Sequence, residues 1–445
     1  MTETTHPELS TAWELFDSGD QRGAMRTLRL AADSIPPAEL APLVAKLAES
    51  SGFEDLRTSA AGLVARPDDA TALYAFGYDC IERGVSALAV PALRASLDAS
   101  QRQGRTPRKS GRWGRKPAPP DVAPRKVLVE LAVALEDGER HAEAADVLSE
   151  HDTLTEDWPD GYLLAYNALM AGRVDQAARV FGALAAAPEQ WQPAAERIAR
   201  ILARVATAAP EGDRDLRGWH FALTGGLLST LSPYGFTSMT GRWAYLQDTR
   251  ASCRLGLERL RTVLAATGRT PASVGLLPDR NSEVLGLAAA EVLGLPAEPY
   301  RPGAADVLVV AYDLNECDRQ LVVGLRERVP GQVLFEHATC WTDPPAVSAD
   351  VSTLLVQTVV APWGERMRFT ADGERDDVPA DERPAEEVAA EIVTAEPRVD
   401  EGDGEAPADS AEALSALAER VREEWLTGPR DRARSSGPVR SGRFA

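Results

Sequence analysis

The sequence predicts an α-helical solenoid of repeats, then an α/β domain with a mainly parallel sheet, then a disordered acidic tail. Three observations carry this. A spacing of small, glycine and large apolar residues recurs through the first half of the chain. Between residues 273 and 360, short, nearly unbroken apolar runs alternate with helical patterns. From 371 to 411 the chain holds 15 Asp/Glu against three Arg, with Pro and Gly throughout.

Composition bounds the function. Among 445 residues, 48 Lys/Arg stand against 68 Asp/Glu, a formal net charge of −20. That balance excludes a protein that coats nucleic acid with its whole surface. No run of about 18 apolar residues occurs, so no membrane-spanning helix is expected. The N-terminal MTETTHPELS is polar and carries no secretory pattern. Four cysteines (Cys80, Cys253, Cys317 and Cys340) are too few for a disulfide scaffold and fit a reducing cytoplasm, the expected location. Only four lysines accompany 44 arginines, so a single arginine is weak evidence of anion recognition.

The repeat places a small residue seven positions before a glycine, an alanine five after it, and a large apolar residue four further on. Copies are Ala12, Gly19, Ala24, Leu28; Gly77, Gly84, Ala89, Leu93; and Ala165, Gly172, Ala177, Phe181. Looser copies centre on Gly52 and Gly138, with the small residue after the turn displaced by about one position. Each unit reads as two amphipathic helices joined at a glycine turn, because glycine takes backbone conformations that a Cβ resists. Small residues let the helices approach, and the large one fills the gap between units. One such pair cannot bury its apolar face alone, so units must stack. On these residues the stretch 9–190 resembles the tetratricopeptide repeat (TPR) superfamily. The resemblance implies repeats over 1–100 and 127–208, the last part a capping helix, and a groove for a protein or peptide partner. Asn167, on the first helix of the clearest copy, is a candidate for polar recognition.

Residues 101–126 interrupt the array with nine Lys/Arg and one Asp. Gly, Pro and Ser are frequent and no apolar period exists, so this is a basic disordered insert. Arginines interleaved with glycine and Trp113 suit single-stranded nucleic acid. A linker, or an electrostatic partner of the chain's own acidic tail, is the preferred reading.

Residues 209–370 read as the α/β domain, with a Rossmann-like alternation of strands and helices. A helix from Trp243 to Gly268 precedes strand 273–277. Helix SEVLGLAAAEVLG, strand 306–312, a helix near 317–328, strand 332–336 and the apolar run 352–360 follow. Alternation at these lengths predicts right-handed βαβ crossovers. Ligands of such sheets bind beyond the C-terminal strand ends. That rule selects Asp279, Arg280, Asn281 and Ser282 after the first strand, Asp313 and Asn315 after the second, and Glu336 and His337 after the third. Arg280 and Ser282 at a helix start offer an anion site; Asp313 offers a ligand for a metal or a ribose hydroxyl. The plainer reading makes them helix caps and turns.

The stretch GLLPDRNSEVLGLAAAEVLGLP, with DVLVVAYDLNE after it, is faintly similar to the phosphoribosyltransferases. That family places two adjacent acids and a Thr-Gly pair after the second strand. Here Tyr312-Asp313-Leu314-Asn315-Glu316-Cys317 has one acid and no Thr-Gly, so the resemblance implies a degenerate or repurposed site. His337 and Cys340 invite a nucleophile–base pair or two metal ligands, but no second His/Cys pair has ligand spacing. No metal site is expected and no cofactor is assigned. The turn-rich segment 217–243, with His220, Tyr234 and Arg242, reads as a docking connection onto the solenoid or a cover over the sheet's ligand edge.

Residues 371–409 are expected to be an acidic disordered linker, 410–427 an amphipathic helix with the stripe Leu414, Leu417, Val421, Trp425, and 428–445 a loose basic tail. The function these features favour is a protein-interaction scaffold with an attached ligand-sensing or effector domain. The rivals are an enzyme acting on a phosphorylated or nucleotide-like molecule, and a nucleic-acid binder acting through the insert.

Overall fold

The computed structural model describes residues 6–105, 122–369 and 374–442. The chain forms two compact units, Met1–Gln192 and Pro193–Ala445. The core of the basic insert, 106–121, lies outside the described residues, and so do the expectations that rest on it.

The first unit is helical. Its main helices are α1 (Pro7–Asp17), α2 (Gln21–Ala31), α3 (Pro37–Ser51), α4 (Glu54–Ala65) and α5 (Ala70–Glu82), then α6 (Ser86–Arg105), α7 (Pro124–Asp137), α8 (His141–Glu150), α9 (Tyr162–Met170) and α10 (Val174–Ala183). They pack as consecutive pairs, each odd-numbered helix against the next. The repeat positions do what their sizes require. Ala12, Ala24, Leu28, Ala89, Ala165 and Ala177 are all fully buried. A Cβ on Gly77 would stand 2.7 Å from Leu93 Cγ, so only glycine allows α5 and α6 to close this far. Gly19, Gly52, Gly84 and Gly172 take the left-handed conformation at their turns. At the looser copy near Gly138 that role falls to Glu139 (φ 53°), one residue later, which is the displacement seen in the spacing.

The stacking is not uniform. α2 and the 3-10 turn Ala32–Ser34 also lie against α6, and Arg140 reaches back to Asp33 at 2.8 Å. Ile35 is extended ahead of Pro36 and Pro37, and a residue before proline is kept from the helical region. The first pair therefore cannot run straight into the second. Asn167 departs from expectation. It is fully buried and engaged by His141 Nδ1 (2.8 Å), Glu136 Oε2 (2.8 Å) and the Leu163 carbonyl (2.9 Å), so it holds helices together and offers nothing to a partner.

The second unit opens with α11 (Gln192–Ala208), the helix expected to cap the array. It is tied to this unit's C-terminal segment through Arg200 to Asp431 (2.7 Å) and Arg204 to the Thr427 carbonyl (3.0 Å). Then come α12 (Leu216–Thr224), β1 (Leu227–Leu228), α13 (Phe236–Met239), β2 (Trp243–Gln247), α14 (Arg250–Thr267), β3 (Ser273–Leu276) and α15 (Arg280–Leu293). β4 (Ala297–Pro299), β5 (Val307–Ala311), α16 (Arg319–Gly324), β6 (Val333–Cys340) and β7 (Val351–Val360) complete the sheet. The strand order is β4-β3-β5-β6-β7, all parallel, with β1 and β2 pairing in succession along β7. The expected strands and the mainly parallel sheet are present. The helix expected from Trp243 is split: Trp243–Gln247 is a strand, and the Thr249 hydroxyl caps α14 by accepting from Ser252 N (3.0 Å).

The acidic segment differs from expectation. β8 (Arg366–Phe369) and β9 (Arg375–Val378) form an antiparallel pair, α17 (Ala385–Thr394) packs on α14 and α15, and α18 (Ala411–Val421) packs on α14. Val388, Ile392, Leu414 and Val421 are fully buried in the core beneath one face of the sheet. Several of its carboxylates are met by arginines, most of them distant in sequence. Asp381 and Glu391 pair with Arg250 and Arg383, and Asp409 with Arg217 (2.5 Å) and Arg259 (2.7 Å). The basic tail is also built in, with Arg430 and Val439 fully buried. Segment 217–243 cradles these additions: Tyr234 donates to Asp400 (2.8 Å), Gly235 N to Asp403 (2.6 Å), and Arg242 to the Val439 carbonyl (3.1 Å).

Candidate functional site

Taken in chain order, β3, β4, β5, β6 and β7 lie in the spatial order 2-1-3-4-5. The topological switch point falls at the C-terminal ends of β3 and β5, where the ligand crevice of an open α/β sheet opens. Most of the residues chosen from the sequence meet there. Asp279 caps α15 by accepting from Ser282 N (2.9 Å), and its other oxygen accepts from the Cys317 thiol (3.2 Å). Ser282 Oγ is buried and accepts from Tyr312 N (3.0 Å), tying α15 to the end of β5. Asn281 donates to Glu316 (2.6 Å) and accepts from the Trp363 indole (2.6 Å). Asp313 accepts from Asn315 N (2.8 Å), and Asn315 donates to the Asp343 carbonyl (2.9 Å).

Arg280 does not join them. Its guanidinium donates to the Asp381 and Arg383 carbonyls at 2.7 and 2.6 Å, holding the acidic segment in place. The edge keeps carboxylates, namely Asp279, Asp313, Glu316 and Glu336. Glu336 is fully buried, accepts from Leu314 N (2.8 Å) and the Thr339 hydroxyl (2.5 Å), and is pushed up to about 8 by burial and then by Asp313. Asp313 is pushed up by burial, with Glu316 and Asp279 adding to the shift. This field opposes a phosphate and favours a cation or a hydroxyl donor.

A raised carboxyl pKa in the folded state means the protein holds a proton that the unfolded chain has released. Glu336 therefore supports folding fully at acidic pH and loses that support as pH rises toward 8. Denaturant midpoints measured from pH 5 to 8 are expected to fall with pH, and Glu336→Gln is expected to flatten the slope. An unchanged slope in the variant would refute this assignment.

His337 lies elsewhere, on the opposite side of β6 from Glu336. The nucleophile–base or ligand pairing weighed for it with Cys340, against an incidental pair, does not occur: Cys340 meets Thr342, the Gln357 carbonyl and Asp343 N. His337 Nε2 instead lies 2.9 Å from Asp248 Oδ2 and 3.8 Å from Cys253 Sγ. The same Asp248 oxygen accepts from Cys253 (3.3 Å) and from the Tyr312 hydroxyl (2.9 Å). Asp248 follows β2, Cys253 sits in the second turn of α14, and His337 and Tyr312 are neighbours across β6 and β5. Burial pushes the Cys253 thiol and the Tyr312 phenol well above their ordinary ranges, and Asp248 adds to both. For Asp248, burial is opposed by facing His337 and by its hydrogen bonds, and the net effect lowers it. The cluster is not a nucleophile relay, because a relay histidine uses one nitrogen for the thiol and the other for the carboxylate. Here both partners face Nε2. Sequence reading missed Asp248 and Cys253 because no local spacing links them to residue 337.

No family model matches the chain, and no curated protein matches it. Among solved structures, that of a MamA mutant is similar at 18% identity with a TM-score of 0.23, covering 39% of this chain and 92% of that one.

Proposed function

We propose that the first unit is a TPR-type array that binds another polypeptide, and that the α/β unit is the ligand-sensing or effector part of the same chain. The run of consecutive helix pairs, closed by left-handed turns and drawn together by contacts such as Gly77 on Leu93, carries this reading. Such arrays present a surface larger than any one pair can form. Leu30, Phe53, Val64 and Tyr78 are exposed side chains of this unit. Tyr78 stacks on Tyr74 (6.0 Å between ring centres), and Glu82 pushes its phenol up. Lys126 already lies 4.9 Å over the Tyr74 ring. An aromatic patch edged by carboxylates suits a basic, amphipathic partner segment.

A photo-crosslinking residue placed at position 78 is expected to capture a polypeptide partner in cells, while the same residue at exposed Val323 of α16 captures none. Equal capture at both positions, or none at either, would defeat the reading. For the α/β unit, the carboxylate-rich strand ends argue against the phosphorylated substrate considered from sequence, and no reaction is assigned.

A further inference from the structure

We propose that Asp248, Cys253 and His337 form a binding site for a borderline divalent cation of the zinc type. This goes beyond the protein-binding reading and does not depend on it. One ligand atom from each residue lies within 4.8 Å of the other two, and all three residues are buried. Carboxylate, thiolate and imidazole together are the donor set that zinc-like ions select. With metal–nitrogen and metal–oxygen bonds near 2.0 Å and metal–sulfur near 2.3 Å, a tetrahedral site has donor separations of about 3.3–3.5 Å. The observed edges are 2.9, 3.3 and 3.8 Å, so small side-chain rotations suffice.

Charge balance points the same way. Two carboxylates buried as deeply are met by arginines, Asp350 by Arg328 and Arg430 and Asp160 by Arg125, whereas Glu336 meets none and is pushed up toward its neutral form by burial. Asp248 meets no guanidinium or ammonium in the described contacts; its neighbours are a thiol, a phenol and an imidazole. With His337 neutral, a bound cation would supply positive charge at the point where all these groups converge.

The surroundings supply a second, independent observation. His337 Nδ1 and Thr353 Oγ1 are both buried without a hydrogen-bond partner. Both lie within 3.0 Å of where a Cβ on Gly256 would sit, so the missing side chain on α14 leaves them a shared space. A metal-bound imidazole presents its second N–H to an outer acceptor, and Thr353, across from His337 in the β6–β7 register, brings a hydroxyl into the same space without bonding the ring here. Binding would remove the Cys253 proton, so retention is expected to weaken with acid.

Because the site is closed, the cation must be present as the chain folds. The full chain produced with zinc in the medium and dialysed against metal-free buffer is expected to retain about one equivalent by elemental analysis. Cys253→Ser and His337→Gln are each expected to lose most of it, and Cys340→Ser to keep it. In the cobalt-substituted chain, a thiolate-to-metal charge-transfer band should appear and should vanish in Cys253→Ser. X-ray absorption on the unaltered chain reads the same site without any substitution, and should show one sulfur with nitrogen and oxygen neighbours. No retained metal, a shell without sulfur, or full retention in Cys253→Ser would show that the cluster is only a hydrogen-bonded hub.

Discussion

Replacing Arg430 with alanine is expected to destabilise the α/β unit by about 3–5 kcal/mol, because it takes one of two guanidinium partners from a buried carboxylate and leaves the Leu325 and Gln332 oxygens without their donor. Arg430 and Asp350 are both fully buried. The guanidinium reaches both Asp350 oxygens at 2.8–3.1 Å, the Leu325 carbonyl at 2.8 Å and Gln332 Oε1 at 3.1 Å. Asp350 in turn accepts from Leu334 N (2.8 Å), so the pair fixes the start of β7 against β6. Burial would raise the Asp350 carboxyl, but Arg328 and then Arg430 outweigh it and hold it below its ordinary range. A depressed carboxyl supports folding above its unfolded pKa and loses that support as pH falls. The variant should therefore lose most of its stability deficit at low pH, where Asp350 is neutral in both chains. Hydrogen exchange of the β6 and β7 amides reads this unit alone; unchanged protection at neutral pH would refute the assignment.

Trp425→Ala is expected to cost a similar amount, about 3–5 kcal/mol for a large aromatic removed from a packed core. Trp425 is 1% exposed, and its indole donates to the Asp350 carbonyl at 3.0 Å. Leu414, Leu417 and Val421 present the same stripe to the core beneath the sheet. Ending the chain before Ser410 should uncover α14 and produce strong binding of a hydrophobic dye, together with earlier thermal unfolding. A truncated chain that melts with the full-length protein would mean that α18 is an ornament of the fold and not part of it.

The helix pairs were legible because their information is local. A glycine, small residues at fixed offsets and a large residue one turn on specify a hairpin wherever it occurs, and even the slipped copy near Gly138 showed its displacement. The strands β3, β5, β6 and β7 were legible because a sheet buried on both faces demands short apolar runs. β2 was not: Trp243, Tyr245 and Leu246 fit a helical stripe as well as a strand, and only the cap at Thr249 separates them. At the strand ends, Asp279, Asn281, Ser282, Asp313 and Asn315 came together as the switch-point rule requires. Arg280 turned away, because its partners lie in a segment about a hundred residues further on.

The sequence by itself determined the two architectures and the strands' burial, since both follow from periodicity and size within a few dozen residues. Tertiary structure alone decided the fate of the acidic and basic tails and of His337. A segment with excess negative charge stays unfolded only if nothing neutralises it. Here arginines separated from it by up to about two hundred positions meet its carboxylates, and its apolar stripes then have a surface to bury. The pairing of residue 337 with 248 and 253 likewise exists only where the sheet and α14 meet.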